Sequence, residues 1–142
     1  MAVRKAEARD RDAVYSLARA FATSFAVEKA AFERSFAEIL THPEAYLIVA
    51  EVDAEVAGYL LGFVHQTFFA NGPVGWVEEI MVGEEFRRQG IGRKLTEAFE
   101  AWALEQEVRQ IALATRRAAD FYEALRYEGS ATYFRKRLWE KT

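Results

Sequence analysis

VGWVEEIMVGEEFRRQGIGRKLTEAF, residues 74–99, passes from a strand pattern through a basic, glycine-containing turn into a helical pattern. Residues 74–82 are mostly apolar but carry two adjacent acids, Glu78 and Glu79. Ile91, Leu95, Ala98, Phe99 and Trp102 then recur at helical spacing, which predicts a helix over 91–106. The run RQIALAT, 109–115, reads as a further, buried strand. Strand, helix and strand at these lengths make a parallel crossover. The first N–H groups of a helix have no partner inside it, and its dipole adds about half a positive charge there. Gly90 and Gly92, with Arg87, Arg88, Arg93 and Lys94 around them, would make such an end an anion site.

Upstream, residues 2–5 read as a short strand. Val14, Leu17, Ala18 and Phe21 mark a helix over 10–22, and Phe32, Phe36, Ile39 and Leu40 mark another over 28–41. Pro43 follows where the second helix should stop. AYLIVAEV (45–52) and EVAGYLLGFVHQ (55–66) read as strands joined by a tight turn at Asp53 and Ala54. Asn71-Gly72 signals a second turn before the strand at 74–82. These three strands should form an antiparallel meander. Downstream, RAADFYEAL (117–125) reads as a short helix and SATYFRKRLW (130–139) as a last, charged edge strand. The expected fold is α/β: a central, mostly antiparallel sheet with one parallel crossover, flanked by about four helices, in a single domain over 1–142.

The chain has 142 residues, enough to remove about two-thirds of its unfolded surface from water. It carries 19 basic and 22 acidic residues, so nothing suggests broad nucleic-acid binding. There is no cysteine, which excludes disulfides, thiol catalysis and Cys-type zinc sites. His42 and His65 lack metal-ligand spacing, so no metal is expected. The charged start MAVRKAEARDRDAV is no signal peptide, and VAGYLLGFV is too short to span a membrane. A cytoplasmic protein with no membrane partner is expected.

Two phosphate-binding motifs fail. Lys94 is followed by Leu95 rather than Ser or Thr, and Leu95 stands where a dinucleotide fingerprint needs its third glycine. The spacing Arg87-x-x-Gly90-x-Gly92 instead resembles the acyl-coenzyme-A signature Q/R-x-x-G-x-G/A of the GNAT superfamily of N-acetyltransferases. A lead-in from Val82 to Arg87 extends the likeness. ATRRAADFYEALRYE (114–128) is similar to that family's A-x-x-F-Y segment, and the element order fits throughout.

The resemblance implies an acetyl-CoA-dependent enzyme that acetylates a primary amine, in a small molecule or a peptide, by direct transfer. It implies a pyrophosphate on the backbone of Arg88, Gln89, Gly90, Ile91, Gly92 and Arg93, with Arg87 opening the motif. Ile80, Met81 and Val82 would pair with the pantetheine arm and polarise the acetyl carbonyl. Thr115 and Phe121 would also border the cofactor. Tyr122 matches the tyrosine that protonates the leaving thiolate.

A carboxylate buried mid-strand needs a reason, and a general base is one. By resemblance to small-amine acetyltransferases, Glu78 is the base and Glu79 the amine contact, or the reverse. The loop FATSFAVEK (21–29) and Phe68, Phe69 and Trp76 could border the acceptor, although plain core is preferred for Trp76. Two departures stand out. Thr115 replaces a common Asn, and Arg126 replaces a Gly, where a left-handed backbone would cost about 1 kcal/mol or more. A non-catalytic acyl-CoA-binding or sensing module is the alternative. A homodimer is compatible with the sequence but not demanded by it.

Overall fold

The computed structural model describes residues 1–21 and 26–139. The elements are β1 (Ala2–Lys5), α1 (Arg11–Phe21), α2 (Lys29–Thr41), β2 (Ala45–Val52), β3 (Glu55–Thr67), β4 (Gly72–Val82), α3 (Ile91–Glu105), β5 (Ile111–Ala112) and α4 (Ala119–Ala124). They build a five-stranded sheet in the order β1-β2-β3-β4-β5. β1 to β4 are antiparallel neighbours, and β4 pairs with β5 in parallel. The fold is the mixed α/β arrangement expected from the sequence.

Strand side chains alternate between faces, and here both faces are covered. Leu47, Val49, Tyr59 and Leu61 pack against Val14 and Ala18 of α1 and Phe36 of α2. Ile48, Ala50, Leu60 and Val77 pack against Ile91, Leu95 and Phe99 of α3. This two-sided burial explains why β2 and β3 read as nearly continuous apolar runs. α3 sits close because Gly62 has no side chain: a Cβ there would lie 2.3 Å from the Phe99 ring. At the start of α1, Arg4 holds Asp10 through two hydrogen bonds of 2.8 and 3.0 Å and reaches Glu51 at 3.1 Å, tying β1, β2 and the helix together.

Two strand expectations are corrected. The strand expected at 109–115 is regular only at Ile111–Ala112, although Arg109 N–H donates to Pro73 O and Gln110 O accepts from Gly75 N–H, both at 2.8 Å. The strand expected at 130–139 does not form. Tyr133, Phe134, Leu138 and Trp139 are exposed there. Its alternation gives Phe134, Lys136 and Leu138 on one face and Tyr133, Arg135, Arg137 and Trp139 on the other. Neither face is apolar, so burial does not select a register, and β5 offers only a short edge.

The expected left-handed residue at the end of α4 is present. Tyr127 N–H donates to Tyr122 O and Arg126 N–H to Glu123 O, both at 3.0 Å, with Arg126 at φ 72°. This is a Schellman cap whose special position favours glycine. Arg126→Gly is therefore expected to stabilise the fold by about 1 kcal/mol. Thermal unfolding should read this as a rise in Tm of roughly 3 °C.

Candidate active site

β4 ends the antiparallel part of the sheet, and its outer edge is paired with β5 only at Gly75 and Trp76. Among the described residues no strand pairs with 77–82 on that edge. The two strands therefore part beside Glu78 to Val82, leaving backbone groups of β4 open to a ligand.

A β-bulge separates the two acids. Leu61 stands opposite Glu79 and Gly62 opposite Val77, so Glu78 is the extra residue. Glu78 is exposed. Glu79 shares its face with Tyr59 and Met81, under α1 and α2, and lines a cavity of about 670 Å³. Much of the wall is apolar, with Val14, Ala18, Phe32, Phe36, Leu47 and Leu61. The Tyr59 hydroxyl donates to Glu79 Oε1 at 2.8 Å. Burial pushes the Glu79 carboxyl up, the Tyr59 hydrogen bond pulls it partly back, and nearby Glu78 adds to the rise. Burial, reinforced by Glu79, raises Tyr59, which stays protonated.

A smaller cavity of about 400 Å³ lies between α1 and the end of β4, lined in part by Leu17, Met81, Gly83 and Arg87. Beyond β4, Arg87 Nε donates to Val82 O at 3.3 Å, fixing the start of the glycine turn to the strand end. Arg88 is left-handed at φ 66°, and so is Gly90 at φ 77°. Gly90 caps α3, and a Cβ there would meet nothing within 4 Å. The turn ahead of the first N–H groups of α3 is thus open at Gly90, and such helix ends attract anions. Gln89 and Arg93 are exposed, and Arg93 is held by Glu97 at 3.2 Å.

Gly92 serves a packing role. The Phe121 ring lies 3.3 Å from where its Cβ would be, with Val82 at 4.0 Å. The missing side chain lets α4 dock on the first turn of α3, near the end of β4. Tyr122 is thereby buried, edge-on to Phe121 and Tyr127. Burial raises its phenol, which keeps its proton at neutral pH. Tyr127 anchors the same region by donating to Glu100 at 2.7 Å. Thr115 Oγ1 accepts from Ala118 N–H at 3.0 Å, so it shapes the turn into α4.

The structure therefore brings Glu79 to a cavity, the 80–82 backbone to an open edge, and 87–93 to a helix N-terminus beside it. Phe68 and Phe69 lie exposed at the β3–β4 turn, and neither they nor Trp76 lines the larger cavity. Residues 22–25 of the loop 21–29 lie outside the described residues. Sequence reasoning missed Tyr59 and Trp139, which also lines the cavity. Tyr59 left a signal, since a tyrosine inside an apolar strand needs a partner for its hydroxyl. Among the described residues no group of three or more acids and histidines could hold a metal ion, and no helix is long and apolar enough to cross a membrane.

Comparison with known proteins agrees with the fold. The profile of the acetyltransferase (GNAT) family matches residues 11–127. An uncharacterised N-acetyltransferase of Archaeoglobus fulgidus is 31% identical over 114 residues, covering 75% of this chain and 76% of the relative. A transcriptional regulator of Bacillus halodurans shares the fold with a TM-score of 0.88 at 24% identity, covering 96% of this chain and 99% of that one. Glucosamine-6-phosphate N-acetyltransferase of Arabidopsis thaliana does so at 0.85 and 22% identity, covering 96% and 97%. The chain belongs to the acetyltransferase (GNAT) family and is an N-acetyltransferase of it.

Proposed function

We propose that this chain, acting as one domain, transfers an acetyl group directly from acetyl-CoA to a primary amine, with Glu79 as the general base and Tyr122 as the general acid. The observation that carries this reading is a carboxylate with a raised pKa, set in an apolar cavity beside the open edge of β4. Its raised pKa moves it toward the range where a base works near neutral pH. Glu78 is the weaker candidate because its carboxylate is exposed and lies outside the lining.

On this reading the amine nitrogen attacks the thioester carbonyl, forming the N–C bond as the C–S bond breaks. Glu79 takes the ammonium or amine proton, directly or through water. Tyr59 orients it through the 2.8 Å hydrogen bond. An N–H of Ile80, Met81 or Val82 stabilises the charge on the carbonyl oxygen. Tyr122 gives its proton to the thiolate and recovers one from solvent. The products are the amide and free CoA. Backbone N–H groups of the 88–93 turn and the α3 N-terminus hold the pyrophosphate, with Phe121 and Thr115 shaping the neighbouring wall.

The direct test is thiol release from acetyl-CoA, with and without a primary amine. Amine-dependent release is the expected result. Binding of acetyl-CoA without release for any amine would leave the non-catalytic binding module instead. Tyr122→Phe is expected to lower kcat only about tenfold, below the usual range of about 10²- to 10⁴-fold for acid catalysis, because a thiolate leaves readily without a proton. Steady-state rates across pH check this, and unchanged turnover throughout would remove Tyr122 from the mechanism.

A further inference from the structure

The walls around Glu79 carry information about the acceptor that the reaction itself does not. Resting on the transferase reading, we infer that the acceptor is an apolar primary monoamine, an amino group on an aromatic or branched aliphatic body, rather than a polycation. Three observations carry this. The cavity of about 670 Å³ has room for such a body. Phe32 and Phe36 stack at 5.6 Å between ring centroids on one wall, and Leu47, Leu61, Val14 and Ala18 supply aliphatic surface. Phe21 and Trp139 add two more rings.

The charges of the lining are sparse. Glu79 is the carboxylate held on the sheet, and Tyr59 already donates to it. Among the described residues the other two ionic groups of the lining are Glu28 and Arg34, which offset each other in net charge. The described lining therefore presents one excess negative charge, which matches one ammonium. A second ammonium on a polyamine or an aminosugar would face apolar wall or Glu28, whose charge Arg34 already offsets, so it would lose hydration without a full counter-charge. An apolar body would instead gain by leaving water.

The test compares 2-phenylethylamine with spermidine, using thiol release for turnover and calorimetry for binding of acetyl-CoA and of each amine. The expected result is a kcat/KM at least about tenfold higher for 2-phenylethylamine, the scale on which an apolar pocket discriminates. Phe32→Ala should raise KM for that amine several-fold with kcat and acetyl-CoA binding little changed. Ala31→Asp, which adds a third carboxylate to the lining and raises its excess negative charge to two, should shift preference toward spermidine without disturbing the core. Preference of the unaltered protein for spermidine would overturn the inference. So would failure of 2-phenylethylamine to bind or react while acetyl-CoA binds. Failure of acetyl-CoA itself to bind is a different outcome, which overturns the transferase reading and the acceptor inference with it.

Discussion

Glu79→Gln is expected to lower kcat/KM by about 10²- to 10³-fold, the scale of a lost general base. Glu78→Gln, at the exposed bulge position, should leave it nearly unchanged. The contrast follows from the bulge, which sends one acid to the cavity and the other to solvent. The pH profile should carry the same signature. The base works as a carboxylate, so activity is present above its pKa and falls as pH drops through it. Burial raises that pKa, so the acidic limb should lie above the ordinary glutamate value of about 4.3. In Glu79→Gln the limb should vanish along with most of the rate.

Stability should move the other way. A carboxyl whose pKa is raised by folding binds its proton more tightly folded than unfolded. Its stabilising contribution is full below the unfolded pKa and is lost as pH rises through the folded one. At neutral pH the fold carries a half-buried carboxylate, and Gln removes that charge while keeping an oxygen for the Tyr59 hydroxyl. Glu79→Gln should therefore melt no lower than the unaltered protein at pH 7, with its advantage shrinking toward acid. A large loss of Tm at pH 7 would mean the carboxylate is structural.

Gly90→Trp is the second large effect. At φ 77° any side chain is strained by about 1–2 kcal/mol. There is space for it, however, since a Cβ meets nothing within 4 Å. The variant should fold, with Tm lower by roughly 3–6 °C. Its indole would stand before the first N–H groups of α3, where the pyrophosphate is proposed to sit. The dissociation constant for acetyl-CoA should rise at least about 100-fold, close to 2.8 kcal/mol.

Much of the architecture was legible because its signals are local. The 91–106 periodicity, the Asp53-Ala54 and Asn71-Gly72 turns, and the apolar runs of β2 to β4 each report near neighbours along the chain. The left-handed angle at Arg126 was legible only through the family resemblance, which puts a glycine at that place. The division of labour at Glu78 and Glu79 was not. It depends on a bulge, and a bulge is a property of two strands in register rather than of one. Tyr59 was missed for the same reason: its partner lies twenty residues away on the neighbouring strand. The alternation in SATYFRKRLW does not make a strand, because neither of its faces is apolar. Phe68 and Phe69 misled through their size, since rings at a turn can stand in solvent.

Calorimetric titration of acetyl-CoA, with CoA, ATP and NAD as comparisons, into the unaltered protein and Gly90→Trp tests the central claim most directly. The account predicts selective binding of acetyl-CoA and CoA by the unaltered protein, and its loss in a Gly90→Trp variant that remains folded. A folded, ligand-free protein that takes up no acetyl-CoA would contradict it, as would a Gly90→Trp variant that binds as tightly as the unaltered chain.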